Sequence, residues 1–358
     1  MTTTPEGCAE PVFARHGGAL DAAIARYGGR REDWLDLSTG INPRPAPLPD
    51  LSMEAWTRLP ERGMEERLRE AARRAYGAGK EAGIVAAPGS QAIISNLPFL
   101  FAPTSVAVLD PSYREHSAAF AAAGHDVRSF HGLADIPTDA RIVVVVNPNN
   151  PDGRRFAPRE LLALRERLAS RGGLLIVDEA FADAEPDLSL ASQAGCEGLL
   201  VHRSFGKFYG LAGLRLGFAL TTRTLAARLA ERLGPWAVSG PALSIGASFL
   251  EDAPLGARLR ASVIDQGERR DGVFARLNIP ILGRTALFAT IRHGQAGRLH
   301  DALCRRLILT RPFDYAPDWL RIGNPPGRGE AERLEEALAE ALAELSGPAP
   351  DDEAGRLR

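Results

Sequence analysis

Cysteine is scarce in this chain: Cys8, Cys196 and Cys304 are its three, spread over 358 residues. That scarcity excludes a disulfide framework, and the spacing excludes a zinc site built from closely set thiolates, so no metal is expected and a reducing, cytoplasmic setting is. Net charge is nearly absent as well, at −2 with acids and bases interspersed. No global field would then recruit nucleic acid or an anionic membrane, and any anion must be held by local groups. No apolar run is long enough to cross a bilayer. The first ten residues include Pro5, Glu6 and Glu10 and lack an apolar core behind a basic cluster, so a cleaved signal is not expected. Internal repeats and long low-complexity segments are missing too.

What is present is ordinary for a soluble globular protein, with 45% apolar and 25% charged residues. The length suits two domains, or one large α/β domain with a satellite. Residues 41–49 carry four prolines after Asn42, which favours an extended arm over a helix or a central strand. Between Glu65 and Tyr76, Leu68, Ala71, Ala72 and Ala75 recur at helical spacing ahead of Gly77, a C-terminal cap.

Short aliphatic runs then alternate with helical patterns: Ser105 to Leu109, Ile142 to Val146, Leu174 to Val177, Leu199 to Val201 and Leu214 to Leu220. A helix over Pro158 to Ser170, striped with Leu161, Leu162, Leu164 and Leu168, lies among them. Runs without polar alternation predict strands covered on both faces, hence a mostly parallel sheet flanked by helices, in an α/β fold. After about Pro235 the pattern changes to long helices around the runs Ala286 to Ile291 and Trp319 to Ile322. The expected division is an arm and part of a small domain over 1–50, a large domain over 51–235, a small α+β domain over 236–346, and a disordered tail over 347–358.

Open sheets of this kind bind ligands beyond the carboxyl ends of their strands, and the unusual residues fall there. Val85-Ala-Ala-Pro-Gly89-Ser90-Gln91 ends an apolar stretch and opens a helix, where free N–H groups could meet a phosphate. It is not a Walker motif, since no Gly-Lys-Ser/Thr follows. Asn147-Pro-Asn-Asn150-Pro151-Asp-Gly153 is a chain of turn formers at a strand end. Asp178 follows a hydrophobic strand, and a carboxylate there needs a cation or strong donors: a helix start, a structural ion pair or a protonated pyridine nitrogen would each serve. In Val201-His-Arg-Ser204-Phe-Gly-Lys207-Phe208-Tyr209-Gly-Leu-Ala-Gly213-Leu-Arg215, one lysine sits among aromatic and small residues with a second cation eight positions on. Most lysines are solvated surface charges; this setting favours the neutral amine that attacks an aldehyde.

Gly89-Ser90-Gln91, Asn150-Pro151-Asp-Gly153, Asp178-Glu-Ala-Phe181 and Ser204-x-x-Lys207 with Arg215 stand in the order and spacing of the fold-type I pyridoxal-phosphate enzymes, which the chain resembles from about His16 to Arg321. The resemblance implies the aspartate-aminotransferase-like fold, pyridoxal 5'-phosphate as cofactor, and a homodimer. It also implies roles: Lys207 for the Schiff base, Asp178 for the ring nitrogen, Asn150 for the ring hydroxyl, and Gly89, Ser90, Gln91, Ser204 and Arg215 for the phosphate. Tyr113, in Asp110-Pro-Ser-Tyr113, matches the aromatic stacked on the ring. Arg321, in Trp319-Leu-Arg321-Ile-Gly, matches the arginine that takes the substrate carboxylate.

Within this fold His16-Gly17-Gly18, Asp36-Leu-Ser-Thr-Gly-Ile-Asn42-Pro43 and Lys207-Phe208-Tyr209 resemble the threonine-phosphate decarboxylases of cobalamin biosynthesis, with the histidinol-phosphate aminotransferases next. Two departures from the aminotransferase pattern point the same way. Phe181 stands where those enzymes have tyrosine, and so does Leu59, in Arg58-Leu59-Pro60. The resemblance implies decarboxylation of an amino-acid phosphate, with His16 and Asn42 as candidates for the substrate's phosphate. A cofactor-sensing regulator on the same fold is the alternative outside enzymes, and it would need a DNA-binding module ahead of the fold.

Overall fold

The computed structural model describes residues 17–346, so Cys8, His16 and the tail from 347 lie outside the described residues. In chain order the strands are β1 (Leu35–Asp36), β2 (Ala82–Ala87), β3 (Ser105–Leu109), β4 (Asp126–Phe130), β5 (Ile142–Val146), β6 (Leu174–Asp178), β7 (Leu199–Ser204), β8 (Gly217–Thr222), β9 (Ile281–Arg284), β10 (Phe288–Arg292), β11 (Ile308–Leu309), β12 (Arg311–Pro312) and β13 (Trp319–Gly323). They fall into two units, one formed by 41–265 with 283–287 and the other by 17–40, 266–282 and 288–346.

The larger unit is built on a seven-stranded sheet ordered β2-β8-β7-β6-β5-β3-β4. Strands β3 to β7 are parallel, while β8 runs antiparallel to both β7 and β2. The carboxyl ends of β2, β5, β6 and β7 and the amino end of β8 therefore share one edge. All five residues of both β5 and β6 are buried, which accounts for the absence of polar alternation. Edge strand β4 was not among the apolar runs, because an edge strand faces water and tolerates Asp126, Arg128 and Ser129. Strand β7 runs past Val201 through His202, Arg203 and Ser204, all of them buried.

The expected helices form close to their predicted limits. Pro158–Ala169 starts with proline at its first position, and the Glu160 carboxylate accepts the Ala157 N–H at 2.8 Å, so two features of a helix start coincide. Arg62–Ala75 buries Leu68, Ala71 and Ala72. It stops at Gly77 in the left-handed region (φ 66°), with Ala78 N–H on Arg73 O at 2.9 Å and Gly77 N–H on Arg74 O at 3.2 Å, a Schellman ending. The larger unit continues beyond Pro235 because the helix Gly240–Glu251 packs against Arg62–Ala75: a Cβ on Gly246 would meet Leu216 Cδ2 at 2.4 Å and Leu68 Cδ1 at 3.0 Å.

The smaller unit carries the sheet order β12-β13-β10-β9 and the parallel pair β1-β11. Its core gathers Leu37, Phe274, Ile291, Leu303, Ile322, Leu334 and Leu338. Amphipathic helices Ala296–Arg305 and Arg328–Ser346 supply one buried stripe each.

Candidate active site

Asp178 ends β6 with only 3% of its surface exposed. One carboxylate oxygen lies 2.8 Å from His116 Nε2 and the other accepts the Ala180 N–H at 3.0 Å. Burial opposes ionisation, but the His116 hydrogen bond and the nearby imidazoles outweigh it and hold the carboxyl below its ordinary range. An anion is thus maintained at a strand end in a dry setting. Next to it, the Asn147 N–H donates to Asp178 O at 2.9 Å, which anchors the turn that carries Asn150. Asn149 pins that turn further, donating to Pro111 O at 2.8 Å and Asp152 Oδ1 at 2.7 Å. Asn150 itself is half-buried.

Lys207 lies on the short helix Phe205–Phe208 directly after β7, half-buried, with Nζ 5.8 Å from the centre of the buried Phe181 ring. Lys207 and Lys80 are the only lysines of the chain, and Lys80 is exposed in a turn. Amine chemistry on a lysine therefore has one sheltered candidate. The segment is braced from below by Phe205 stacked on Tyr209, with centroids 4.1 Å apart. The proline-rich arm braces it as well: Asn42 N–H donates to Lys207 O at 2.9 Å, and Asn42 Nδ2 donates to Phe208 O at 3.0 Å. The arm is held by its own chain here. Gly210 permits this contact, because a Cβ there would meet Asn42 O at 2.7 Å and its φ is +72°.

A third element closes around Gly89. Its φ is +82°, and a Cβ on it would lie 2.6 Å from Arg215 Nη2. Gly217 pairs in register with both Ala87 and Ser204, and a Cβ on it would lie 2.3 Å from the Ser90 backbone nitrogen. The two glycines thus let the Arg215 guanidinium close on the Gly89 turn and the Ser90 N–H close on β8 beside Ser204. N–H groups in a first helical turn have no partner within the helix, so together with the arginine they suit a phosphate ester. Arg215 is itself in the left-handed region (φ 53°), a conformation costly for a non-glycine residue, and its Nη1 donates to Ala212 O at 3.1 Å.

Tyr113 donates its hydroxyl hydrogen to Gln91 Oε1 at 2.9 Å. The Gln91 side chain is thereby tied to the expected stacking residue. Asn42 accepts the Arg44 N–H at 3.0 Å besides its bonds to the lysine segment. Arg321 belongs to the smaller unit, buried on β13, where it donates to Ser38 O at 2.8 Å and sits 5.0 Å from the Phe288 ring centre. His16 lies outside the described residues.

Two contributors were not singled out from the sequence. His116 could have been, since it follows Tyr113 by three residues, a spacing that puts both on one side as a helix begins. Arg311 could not, because it gains meaning only across the sheet, where it pairs in register with Arg321. Burial, and then the Arg311 charge, push the Arg321 guanidinium down to about 9. Two cations side by side in the smaller unit favour an anion.

The family model for aminotransferases of class I and II matches residues 32–340. Over 332 residues the chain is 47% identical to the threonine-phosphate decarboxylase of Sinorhizobium sp, covering 90% of this chain and 97% of that protein. Over 326 residues it is 45% identical to the threonine-phosphate decarboxylase of Pseudomonas aeruginosa, covering 90% and 96%. A histidinol-phosphate aminotransferase of Thiobacillus denitrificans stands further off, at 30% identity over 273 residues, 74% of this chain and 69% of that protein. Among solved structures, the histidinol-phosphate aminotransferase of Clostridium acetobutylicum matches with a TM-score of 0.78 at 20% identity, covering 87% of this chain and all of that one. That likeness concerns the fold.

Proposed function

The chain belongs to the class I and II aminotransferase family, and on that premise we propose that it is a pyridoxal-phosphate-dependent decarboxylase of L-threonine O-3-phosphate. The product would be (R)-1-amino-2-propanol O-2-phosphate, for cobalamin biosynthesis. The observation that carries this reading is the pair of threonine-phosphate decarboxylases at 47% and 45% identity, matched over 97% and 96% of their own lengths.

The residues present fit the cofactor. The Ser90 N–H and the Arg215 guanidinium, which Gly217 and Gly89 allow to come close, suit its phosphate, and Gln91 and Ser204 would complete its surroundings. The buried Asp178 anion suits its ring nitrogen, Asn150 its ring hydroxyl, and Tyr113 its face. Lys207 supplies the amine that attaches it. When bound, pyridoxal phosphate supplies an electron sink conjugated to the substrate's α-carbon. Asp178 keeps that sink charged, and His116 keeps Asp178 ionised.

The Cα–carboxylate bond breaks, carbon dioxide leaves, and Lys207 or a water delivers the proton that replaces it. Which Cα bond breaks depends on which is held perpendicular to the ring. That orientation falls to the groups binding the substrate's two anions. Arg321 takes the carboxylate as a bidentate pair, and the adjacent Arg311 suits a substrate that carries a phosphate too. His16 and Asn42 remain candidates for that phosphate. Phe181 beside Lys207 offers no hydroxyl to the ring, in keeping with a departure from transamination.

The active form is a homodimer in this reading. Leu48, Met53, Trp56 and Leu59 crowd one short stretch of the larger unit, each more than half exposed, and apolar surface so concentrated marks an interaction site. No described helix is long and apolar enough to cross a membrane, and the proposed location is the cytoplasm. The test is to incubate holoenzyme with threonine phosphate and measure carbon dioxide and the amine. Amino transfer from histidinol phosphate to 2-oxoglutarate without decarboxylation would overturn the proposal.

A further inference from the structure

His202, on β7, is fully buried, and neither of its ring nitrogens has a hydrogen-bond partner. A neutral imidazole carries one donor and one acceptor, and leaving both unmet in a dry interior is costly. Of its neighbours on the same face of the strand, Leu200, two positions before it, and Ala219, its partner on β8, are apolar, and Ser204, two positions after it, makes no hydrogen bond to either ring nitrogen. A leucine here would pack at no such cost.

The polar company lies on the other side. His202 pairs in register with Asp178 on β6 and stacks on His116, with ring centres 5.7 Å apart and planes 25° apart. Side-chain atoms of His116, Asp178 and His202 that could hold a ligand all lie within 4.8 Å of one another, and all three residues are buried. His116 and Asp178 already touch at 2.8 Å. A single water with hydrogen bonds of about 2.8 Å to each of two groups spans roughly 4.5 Å between them, which falls within the 4.8 Å that bounds the separation of the three groups. A divalent transition metal would need ligand distances of about 2.0–2.2 Å. It would have to break the His116–Asp178 hydrogen bond and take Asp178 away from the ring nitrogen.

We propose that His202 is a positioning residue for Asp178: through one bridging water it fixes the orientation of the carboxylate that faces the cofactor's ring nitrogen. The inference rests on the cofactor reading above. The titratable groups facing His202 are His116, from the helix Glu115–Ala122, and Asp178, from β6. Burial, opposed by Asp178 and aided by His116, pushes the His202 imidazole down to about 4. At neutral pH it is uncharged and can both donate and accept.

His202→Leu removes both nitrogens at similar bulk, and His202→Gln retains a donor and an acceptor. Each is reconstituted with pyridoxal phosphate. The cofactor's absorbance is titrated with pH, its dissociation constant from the apoprotein is measured, and the apoprotein is melted. His202→Leu is expected to move the absorbance midpoint by about one pH unit and to weaken cofactor binding about tenfold. Its apoprotein should melt at or above the wild-type temperature, and His202→Gln should recover most of both losses. A His202→Leu protein with wild-type titration and affinity would make His202 mere packing and overturn the proposal. So would a holoenzyme carrying one equivalent of tightly held transition metal that His202→Leu loses. If wild type and both variants show no cofactor band at all, the cofactor reading fails, and this inference with it.

Discussion

Replacing Gly217 by alanine asks whether the cofactor's phosphate sits at the Ser90 N–H that this glycine lets approach. The added methyl would lie 2.3 Å from the Ser90 nitrogen, 2.8 Å from Gly89 C and 2.9 Å from Ser90 Cα. Ordinary contact needs about 3.5 Å, so backbone must yield by roughly 1 Å. Gly217 is paired on both sides, with Ala87 on β2 and Ser204 on β7, and the loop from Pro88 to Ser90 is the less constrained partner. Overpacking of this kind costs about 1–3 kcal/mol. If the loop absorbs it, the loss appears as about 5- to 150-fold weaker cofactor binding rather than as a lower melting temperature of the apoprotein. Gly213→Ala is the control, since a Cβ there meets nothing within 4 Å. Both apoproteins are titrated with pyridoxal phosphate by fluorescence and melted in parallel. A Gly217→Ala protein that binds the cofactor as tightly as wild type would refute the placement of the phosphate.

Borohydride reduction of the holoprotein should fix the cofactor's mass on the peptide containing Lys207; mass spectrometry finding it on Lys80, the one other lysine, would refute the assignment. Trp56→Asp or Leu59→Asp should turn dimers into monomers in sedimentation, and dimers in both variants would remove the proposed interface. Arg311→Gln should raise KM for threonine phosphate by about 10- to 150-fold, the worth of a hydrogen bond to a charged group being about 1.5–3 kcal/mol; an unchanged KM would release Arg311 from the substrate. Burial pushes His300 down from 6.5 to about 4, so between those values the unfolded chain binds the extra proton, and stability present above pH 6.5 is lost as pH falls, by on the order of 3 kcal/mol. His300→Gln should flatten that slope in urea unfolding at pH 6.5, 5 and 4, and an equally steep slope would place the titration elsewhere.

The features legible in the sequence are those whose cause is local. Uninterrupted aliphatic runs give β5 and β6 because both faces of those strands are covered, and the Asn147 to Gly153 turn is read from its own residues. Lys207 stood out by its apolar company. Features whose cause lies across the fold were hidden. His202 interrupts a strand that the apolar pattern ends at Val201, and its neighbours become His116 and Asp178 only once β6 and β7 pair. Arg311 and Arg321 are ten positions apart in the chain and opposite each other only through β12 and β13. The helix Gly240–Glu251 joins the larger unit through Gly246 on Leu216 and Leu68, a packing contact that a change of texture at Pro235 does not reveal.

The same division runs through the chemistry. In the proposed reading Lys207, Asp178 and the glycines at 89 and 217 prepare the cofactor, a step common to every outcome the fold permits. They do not decide whether the α-carbon loses its proton or its carboxylate. That choice belongs to whatever holds the substrate's two anions, and arginines paired across a strand are suited to it. Burial and then the Arg311 charge push Arg321 down to about 9. In the proposed reading a doubly anionic substrate offsets more of that repulsion than a substrate with a single anion. On that reading, selection for an amino-acid phosphate draws on repulsion within the free protein as well as on attraction in the complex.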